Sequence, residues 1–168
     1  MRLRTAALLG NLMIASVARG QATDSVALAV AMFRAAIVQG QLTAHGGAVP
    51  EVLCLARSSV QWGGNYSDPD SIVVARIQQE TPTARPFSAC RIDPLDSAPR
   101  NASLVVERAT GRRGLVIWAG TPERNSTGAL TVPLGYYEHG LSAAGWSCAV
   151  RRTQDEWFVN ACVMRWIS

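Results

Sequence analysis

The sequence predicts an α+β domain: one or two helices packed on a curved antiparallel sheet of about five or six strands, stapled by disulfides. Three observations lead to this prediction. Helical periodicity is confined to the first half, short apolar runs separated by turn residues fill the second half, and the cysteine count is even. Helices segregated to one side of an antiparallel sheet define the class. The 168 residues suit one domain, which we place at residues 23–168.

The composition fits an ordered domain and excludes several classes of protein. Apolar residues make up 48% and charged residues 17% of the chain, which excludes a disordered chain or a coiled coil. All 16 basic residues are arginine, and three of them, Arg2, Arg4 and Arg19, precede residue 23. The rest of the chain is therefore nearly balanced in charge. Because nucleic-acid binding needs a persistent basic face, we expect no nucleic-acid partner.

An export signal is predicted at residues 1–22. Two arginines in the first four residues precede an apolar run, and the small residues Gly20 and Ala22 match a signal-peptidase site. Cleavage after Ala22 is the preferred interpretation, with cleavage after Ala18 and a buried N-terminal helix as alternatives. The apolar run is shorter than the ~20 residues of a spanning helix. No second such run is expected, so the mature chain should be soluble, without stable membrane insertion.

Export gives the four cysteines a structural interpretation. An even count in an oxidising compartment predicts disulfides, and the absence of a CxxC motif argues against a redox pair or a paired-cysteine zinc site. A hairpin centred on Asp155 places Cys148 opposite Cys162, because each lies seven residues away. Opposed β-carbons lie ~4.5–5.5 Å apart, close to disulfide range. We therefore predict Cys148–Cys162 and, by elimination, Cys54–Cys90; four buried free thiols are the alternative.

The first predicted helix begins at the capping residues Thr23-Asp24-Ser25 and ends near Gly40. Apolar residues then recur at spacings of four, three and four, which puts them on one stripe of a helix. These residues are Val26, Val30, Phe33 and Ile37. Arg34 is the segment's one basic residue, whereas membrane-surface helices have a basic face. Packing on a sheet is therefore the preferred interpretation.

A buried strand and a second helix follow. Residues 51–56 are apolar enough for a short buried strand, and residues 61–67 are expected to form a loop. Asp68-Pro69-Asp70 is a helix-start signature, with Asp68 as the cap and Pro69 at the first helical position. The helix should run to about Gln79. Residues 87–101 are rich in turn formers and are expected to be irregular.

The remaining chain is predicted to form about five antiparallel strands. They span residues 104–106, 115–118, 129–132 resuming at 136–137, and the two arms of the Cys148/Cys162 hairpin. Thr110-Gly111 marks a hairpin turn between the first two strands. Pro133 confines the third to an edge or a bulge, because proline cannot donate to the ladder. Residues 140–145 are predicted to be a loop.

Two stretches of the sequence share a pattern with a known group of proteins. They are Asp68-Pro69 to Ser88-Ala89-Cys90, and the closing series Tyr136-Tyr137, Gly140-Leu141-Ser142, Gly145, Trp157 and Trp166-Ile167-Ser168. In these stretches, about half of the mature chain, the sequence resembles certain uncharacterised exported bacterial proteins. The resemblance implies a curved sheet wrapping a helix, similar to cystatin or nuclear-transport-factor-like folds. It implies no activity, since that group has no established catalytic residues.

The sequence offers no catalytic or metal-binding constellation. Nucleophilic catalysis needs a Ser or Cys beside a base, normally His, and His45 and His139 lie outside any such context. Glu138 is next to His139, but adjacent strand residues point to opposite faces, so a solvated loop histidine is the preferred interpretation. No phosphate-binding loop is present in the sequence. We expect no metal, no cofactor and no catalytic residue.

The second half is rich in aromatic residues in or beside predicted strands. They are Trp118, Tyr137, Trp146, Trp157 and Trp166. Core packing is the preferred interpretation, because such rings bury large apolar areas. The alternative is a cone-shaped sheet that encloses a small apolar ligand. The candidate pocket residues are then Trp118, Tyr137, His139 and Trp146.

Three hypotheses for function follow. The leading one is an exported, soluble, non-catalytic binding module, periplasmic or secreted, whose partner is another protein or an envelope component. The alternative is a small-ligand carrier or small enzyme that uses the aromatic pocket, with His139 or Tyr137 as polar contacts. The further alternative is an inhibitor of a secreted hydrolase, acting through the loop at residues 140–145. Partner identity and oligomeric state stay open at this point.

Three triplets match the acceptor pattern for N-linked glycosylation. They begin at Asn65, Asn101 and Asn125. Because the leader looks bacterial, we expect these asparagines to stay unmodified.

Overall fold

A computed structural model describes residues 8–43, 50–59, 64–94, 103–140, 142–154 and 156–168. In the first helix, side chains are described from Asp24 to Leu42. The turn centre expected at Asp155 and the acceptor Asn101 lie outside the described residues. The elements, in chain order, are α1 (Leu8–Thr43), β1 (Val52–Ser58), β2 (Tyr66–Ser67), α2 (Ser71–Glu80), β3 (Ala84–Pro86), a 3₁₀ turn (Phe87–Ala89), β4 (Cys90–Pro94), β5 (Ser103–Glu107), β6 (Gly114–Ala119), β7 (Glu123–Arg124), β8 (Leu130–His139), β9 (Ser142–Thr153) and β10 (Glu156–Ile167).

The described strands form one mixed sheet, whose main path runs β10-β9-β8-β6-β1-β2. β1 pairs in parallel with both β3 and β6, whereas β8, β9 and β10 pair antiparallel. β5 and β7 join β8, and β4 joins β5. The predicted α+β class with two disulfides is confirmed. The expected sheet of five or six antiparallel strands is wrong, since this sheet has ten strands and parallel pairs and is not clearly curved.

The hairpin expected over residues 104–118 is wrong. β5 and β6 meet at one bridge, Val106↔Arg113, and β6 then runs parallel with β1. β5 pairs instead with β4, so residues 90–94, expected to be irregular, form a strand. Tyr66–Ser67, expected in a loop, pair with the end of β1. β6 is buried along its whole length. A strand that is apolar on both faces is typical of the interior of a sheet whose two faces are covered. β6 has this position, between β1 and β8.

Helix α1 is longer than predicted, but it uses the predicted apolar stripe. Val30, Phe33 and Ile37 are buried, and Val26 packs against the same core. The helix begins at Leu8 rather than at the expected cap over residues 23–25. Leucine, alanine and methionine are good helix formers and occur repeatedly before residue 23, so the helix continues through this point.

Gly40, expected to stop α1, is instead a point of close approach to the sheet. The helix continues to Thr43. A β-carbon at Gly40 would lie 2.6 Å from Ile117 Cδ1 and 3.4 Å from Tyr136 Cβ. The absence of a side chain therefore lets α1 sit directly on β6 and β8, and the residue serves packing rather than helix termination.

Helix α2 begins two residues later than predicted. Asp70 is its cap, and Asp70 Oδ1 accepts a hydrogen bond of 2.8 Å from the Ile72 backbone N–H. Asp68, the expected cap, accepts from the Ser88 backbone N–H at 2.7 Å and ties the 3₁₀ turn to the helix start. The helix ends at Glu80, one residue beyond the expected end.

Strand β8 runs continuously through Pro133 and lies inside the sheet, so the expected edge or bulge at this proline is wrong. β9 pairs along one side of β8, and β7, β6 and β5 share the other side. Pro133 stands at the gap between β7 and β6, where its carbonyl accepts from the Gly120 N–H at 2.8 Å. Proline has no N–H to return to the Gly120 carbonyl, so one bond of this pair is missing and the β6 ladder ends here.

The sheet buries two hydrophobic clusters, one on each face. On the face covered by α1 and α2, the helix side, Phe33 packs with Ile117 and Trp146. On the opposite face, the far side, Trp118 packs with the Cys54–Cys90 disulfide. Ile117 and Trp118 are neighbours in β6, so the period of two along this strand divides the core between the faces.

Residues Asp24–Leu42 of α1 form a 19-residue stretch with a mean hydropathy of 1.4. By length and composition alone this stretch is apolar enough to cross a membrane, so the expectation that no second such run follows the leader is wrong. The core helix of a soluble domain passes the same test. Here the apolar stripe of the helix packs against the sheet.

Candidate functional site

The four residues of the predicted aromatic pocket do not line one cavity. Trp118 is fully buried on the far side, whereas Trp146, 4% exposed, is buried on the helix side. The Tyr137 hydroxyl forms a hydrogen bond with Ser103 Oγ, and His139 ends β8. The predicted pocket is therefore wrong. The preferred interpretation, core packing, is confirmed for both tryptophans.

Two glycines paired across β8 and β9 explain how large rings fill the far side. Gly135 and Gly145 lie directly opposite each other. A β-carbon at Gly135 would lie 2.3 Å from Trp118 Cζ2, and one at Gly145 would lie 2.4 Å from Trp166 Nε1. Both indole rings therefore rest on bare backbone. Their Nε1 atoms are buried without a hydrogen-bond partner among the described residues.

Residues 142–145, expected to belong to an exposed loop at residues 140–145, form part of a buried strand instead. β9 begins at Ser142, and residues 142–145 are buried. They pair with β8 in a register that includes Tyr137↔Ala143. Small residues at these positions leave room for the neighbouring rings, which is why a loop-like composition forms a strand. The inhibitor hypothesis, which needed this loop at the surface, loses its basis.

Both predicted disulfides, Cys54–Cys90 and Cys148–Cys162, are present. Cys148 and Cys162 are direct neighbours across β9 and β10, as predicted. The register of the turn differs, because Thr153 pairs with Glu156. A bulge at Ala161, whose φ is +46°, supplies the one extra residue that brings Cys162 opposite Cys148.

Two buried carboxylates are held by hydrogen bonds and ion pairs. Glu107 accepts from the Thr110 hydroxyl, from Arg112 Nη2 at 2.9 Å and from Arg85 Nε at 2.9 Å. The hydrogen bonds from Thr110 and Arg112 outweigh burial and lower the pKa of Glu107 to about 2. Glu138 is held the same way by one arginine and one serine hydroxyl. Within the part of the chain that the structure describes, no three His, Cys, Asp or Glu side chains converge as metal ligands.

Strand β10 is an open edge of the sheet. It is 12 residues long and pairs with β9 and with no other described strand. Residues 157–164 carry no charge, whereas natural edge strands are usually short or protected by charges or proline. Half of the large hydrophobic side chains that the described residues expose lie on this strand. They are Phe158, Val163, Met164 and Ile167.

A groove of about 620 Å³ runs beside this edge, between β10 and the two helices. Residues 156–162 line it without interruption, so both faces of the strand and its backbone edge contribute. The opposite wall is α1, where Val38 is 52% exposed. Arg34 of α1 forms a bidentate ion pair with Glu80 of α2 at the end of the groove. Arg34 lowers the pKa of Glu80 through this hydrogen bonding.

The sequence predicts β10 as the second arm of the closing hairpin, but the open edge of this strand is not among the predicted features. Residues 157–159 and 162–164 are apolar at consecutive positions. Such a pattern is typical of a strand that is buried on both faces. The second arm of a hairpin has a guaranteed neighbour, the first arm, on one side only. The conflict between these two features is the signal that indicates a surface for another strand.

A second cavity, of about 310 Å³, opens at the carboxyl ends of the parallel strands β1 and β6. Apolar side chains of α1 and α2, including Met32, Phe33 and Val73, form its walls. Arg57 at the end of β1 also lines it and is exposed. Among the described residues Arg57 has no ion-pair partner. In open sheets, ligands commonly bind at the carboxyl ends of parallel strands.

Comparison of the chain with family models, curated proteins and solved structures gives no match. The resemblance to exported bacterial proteins therefore stays a prediction. The functional conclusion rests on the geometry of β10 and of the two cavities.

Proposed function

We propose that this chain is an exported, soluble, non-catalytic binding module whose binding surface is the free edge of β10. The observation that carries the proposal is a strand edge, 12 residues long, that pairs with no other strand in the described part of the chain and carries four exposed large hydrophobic side chains. A partner strand added to this edge satisfies its backbone N–H and C=O groups and covers those side chains. The groove beside residues 156–162 accepts side chains from one face of the added strand.

Export is supported by the cysteines and by the leader. The two disulfides indicate an oxidising compartment. The predicted signal at residues 1–22 directs the chain there, and the mature protein begins at Thr23 in the bacterial periplasm or outside the cell. The part of α1 that packs on the sheet lies after this cleavage site.

A photo-crosslinking amino acid in place of Val163 tests the binding surface in cells that export the chain. Val163 is 54% exposed in the middle of β10, and we expect one adduct of defined mass whose partner peptide maps to a single segment. The same amino acid at Ile72, 55% exposed on α2, is the matched control. Phe158→Lys, which puts a charge on the edge, should abolish the Val163 adduct.

Two results would contradict this proposal. The first is equal crosslinking from Val163 and Ile72, which would indicate random collision with neighbouring proteins. The second is the absence of any adduct at Val163 in the native, oxidised protein. An adduct that persists in Phe158→Lys would place the partner on another surface and would also count against strand addition.

The cavity beside Arg57 favours a second candidate function, carriage of a small amphipathic carboxylate. Apolar walls and a guanidinium that forms no ion pair with any described residue suit a short hydrocarbon chain with a carboxylate head. Titration with octanoate, followed by amide NMR shifts, should saturate at residues near Phe33 and Val73. We expect Arg57→Ala to weaken binding about tenfold, while Arg124→Ala on β7 leaves it unchanged. Shifts that never saturate would remove this candidate.

A further inference from the structure

We infer that the strand that adds to β10 is β10 of a second copy of this chain, paired antiparallel about a two-fold axis between Asn160 and Ala161. This inference rests on the binding surface proposed above and names its occupant. It is carried by the order of side chains along the strand, which complements itself when the strand is reversed. The bulge at Ala161 is what makes this order work.

The bulge decides which side chains of β10 share a face. In an unbroken strand, residues five apart point to opposite faces, so Phe158 and Val163 would be separated. The extra residue at Ala161 shifts the alternation by one. The partners in β9 show the result, because Phe158 lies opposite Arg151 and Val163 lies opposite Ser147, an even number of positions away. Both side chains therefore point to the far side.

The residues of β10 that point to the helix side can be assigned from their β9 partners in the same way. Four of its side chains pair with alternate residues of β9 and therefore share that face. They are Trp157, Val159, Cys162 and Met164. Side-chain direction and backbone hydrogen-bonding direction alternate together along a strand, so these residues also direct their backbone groups to the same edge. A two-fold axis perpendicular to the sheet keeps each face on its own side, and helix-side residues must meet helix-side residues.

A register centred on the bulge meets this condition with apolar contacts on both faces. On the far side, Phe158 meets Val163 of the second copy. On the helix side, Trp157 meets Met164 of the second copy. Each contact is made twice, because a two-fold interface uses the same patch on both partners. Three of these four side chains are large, exposed hydrophobics in the single chain, and the pairing covers them.

The same register joins opposite charges at both ends of the contact. Glu156 lies opposite Arg165 of the second copy, which is the extra residue of a second bulge between Met164 and Trp166, and both side chains are exposed in the single chain. Among the described residues neither forms an ion pair within 4 Å, and the charge of Glu156 acts only at longer range, where it helps to raise the pKa of Arg34. Sliding the second copy by two residues puts Arg165 opposite Gln154 or opposite Phe158, and both ion pairs are lost. The charges therefore select one register among those that the backbone allows.

The groove beside β10 closes in this arrangement. The two-fold axis places both α1 helices on the same side of the joined sheet, so the grooves of the two copies face each other across the new strand pair. Val38, 52% exposed on the groove wall, is covered from the opposite side. Stable interfaces bury about 1,200 Å² or more in total. Strand pairing and groove closure both contribute to that area.

Sedimentation equilibrium of the mature, oxidised chain tests the inference. We expect the wild type at tens of micromolar to sediment with twice the monomer mass. Arg165→Glu and Glu156→Arg should each weaken self-association at least about tenfold, since like charges then meet twice. Mixing the two variants in equal amounts should restore association, because every charged contact in the mixed dimer again joins opposite signs. Both positions are exposed, and far-UV circular dichroism verifies that each variant is folded.

The outcomes separate this inference from the proposed function. A chain that stays monomeric at every concentration overturns the second-copy inference, and so does a dimer that neither variant weakens. If a monomeric chain still forms the Val163 adduct with a different protein, the second copy is not the occupant but strand addition stands. If no self-association and no Val163 adduct is found, both the inference and the proposed function fall.

Discussion

Trp157 Nε1 donates a hydrogen bond of 2.9 Å to Asp24 Oδ1, which joins the last strand of the chain to α1 just beyond the expected leader. Arg152 reaches Asp24 Oδ2 at 3.2 Å and lies over the Trp157 ring, 5.5 Å from its centroid. The contact links residues 133 positions apart. Both cleavage sites considered for the expected leader precede Asp24, so removal of that leader would keep this contact between α1 and the sheet.

Asp24→Ala should lower the free energy of unfolding by about 1–2 kcal/mol, because the half-buried Trp157 N–H loses its acceptor and Arg152 loses its partner. Asp24→Asn keeps an oxygen acceptor for Trp157 and should cost less. Urea unfolding of the oxidised mature chain, followed by tryptophan fluorescence, measures both. Equal losses in the two variants would mean that the hydrogen bond to Trp157 contributes nothing.

Acid should weaken the cluster around Glu107. Its folded pKa of about 2 lies below the ordinary 4.5, so the unfolded state binds this proton more tightly. The stabilisation is fully present above pH 4.5 and is lost as the pH falls toward 2. We expect Glu107→Gln to lower Tm at neutral pH and to flatten its decline over this acid range. Glu123→Gln, an exposed carboxylate on β7, is the control; parallel wild-type and Glu107→Gln curves would contradict the prediction.

Gly135→Ala should destabilise the fold much more than Gly40→Ala. At Gly135 the new β-carbon meets the Trp118 ring at 2.3 Å and the Ala144 carbonyl oxygen at 2.5 Å, and neither group has room to move. We expect a loss of about 1–3 kcal/mol in urea unfolding. At Gly40 it meets the flexible end of Ile117 at 2.6 Å, and the ~1 kcal/mol helix preference of alanine offsets the clash. Similar losses of stability in the two variants would show that the Trp118 ring can move away from a β-carbon at residue 135.

The two disulfides should differ in their access to reductant. Cys54 and Cys90 are completely buried, whereas Cys162 is half-buried and lines the groove beside β10. Brief treatment with limiting dithiothreitol, followed by alkylation and peptide mapping, should label Cys148 and Cys162 first. Reduction of the Cys148–Cys162 disulfide should lower the free energy of unfolding by about 3 kcal/mol, the value that the chain-entropy model gives for a loop of this size. Earlier labelling of Cys54 and Cys90 would contradict the burial pattern.

Features that depend on nearby residues could be predicted from the sequence. The helical period alone predicts the apolar stripe of α1 that contains Phe33. A hairpin alone predicts the Cys148–Cys162 disulfide. The parallel pairing of β1 with β6 has no such local signature, so Leu115–Trp118 in the middle of β6 could equally be assigned to a hairpin. The open edge of β10 was hidden for a related reason. The bulge at Ala161 breaks the alternation that would show which apolar residues face outward.

The parallel pairing of β1 with β6 has a consequence for the newly made chain. Val52 pairs with Gly114, roughly sixty residues later, and ribosomes add ~5–20 residues per second. For about 3–12 s, β1 has therefore left the ribosome while its main neighbour does not yet exist. Five consecutive apolar residues stay uncovered during that interval. In the nascent polypeptide this apolar segment therefore stays without its β6 neighbour until synthesis has passed residue 119.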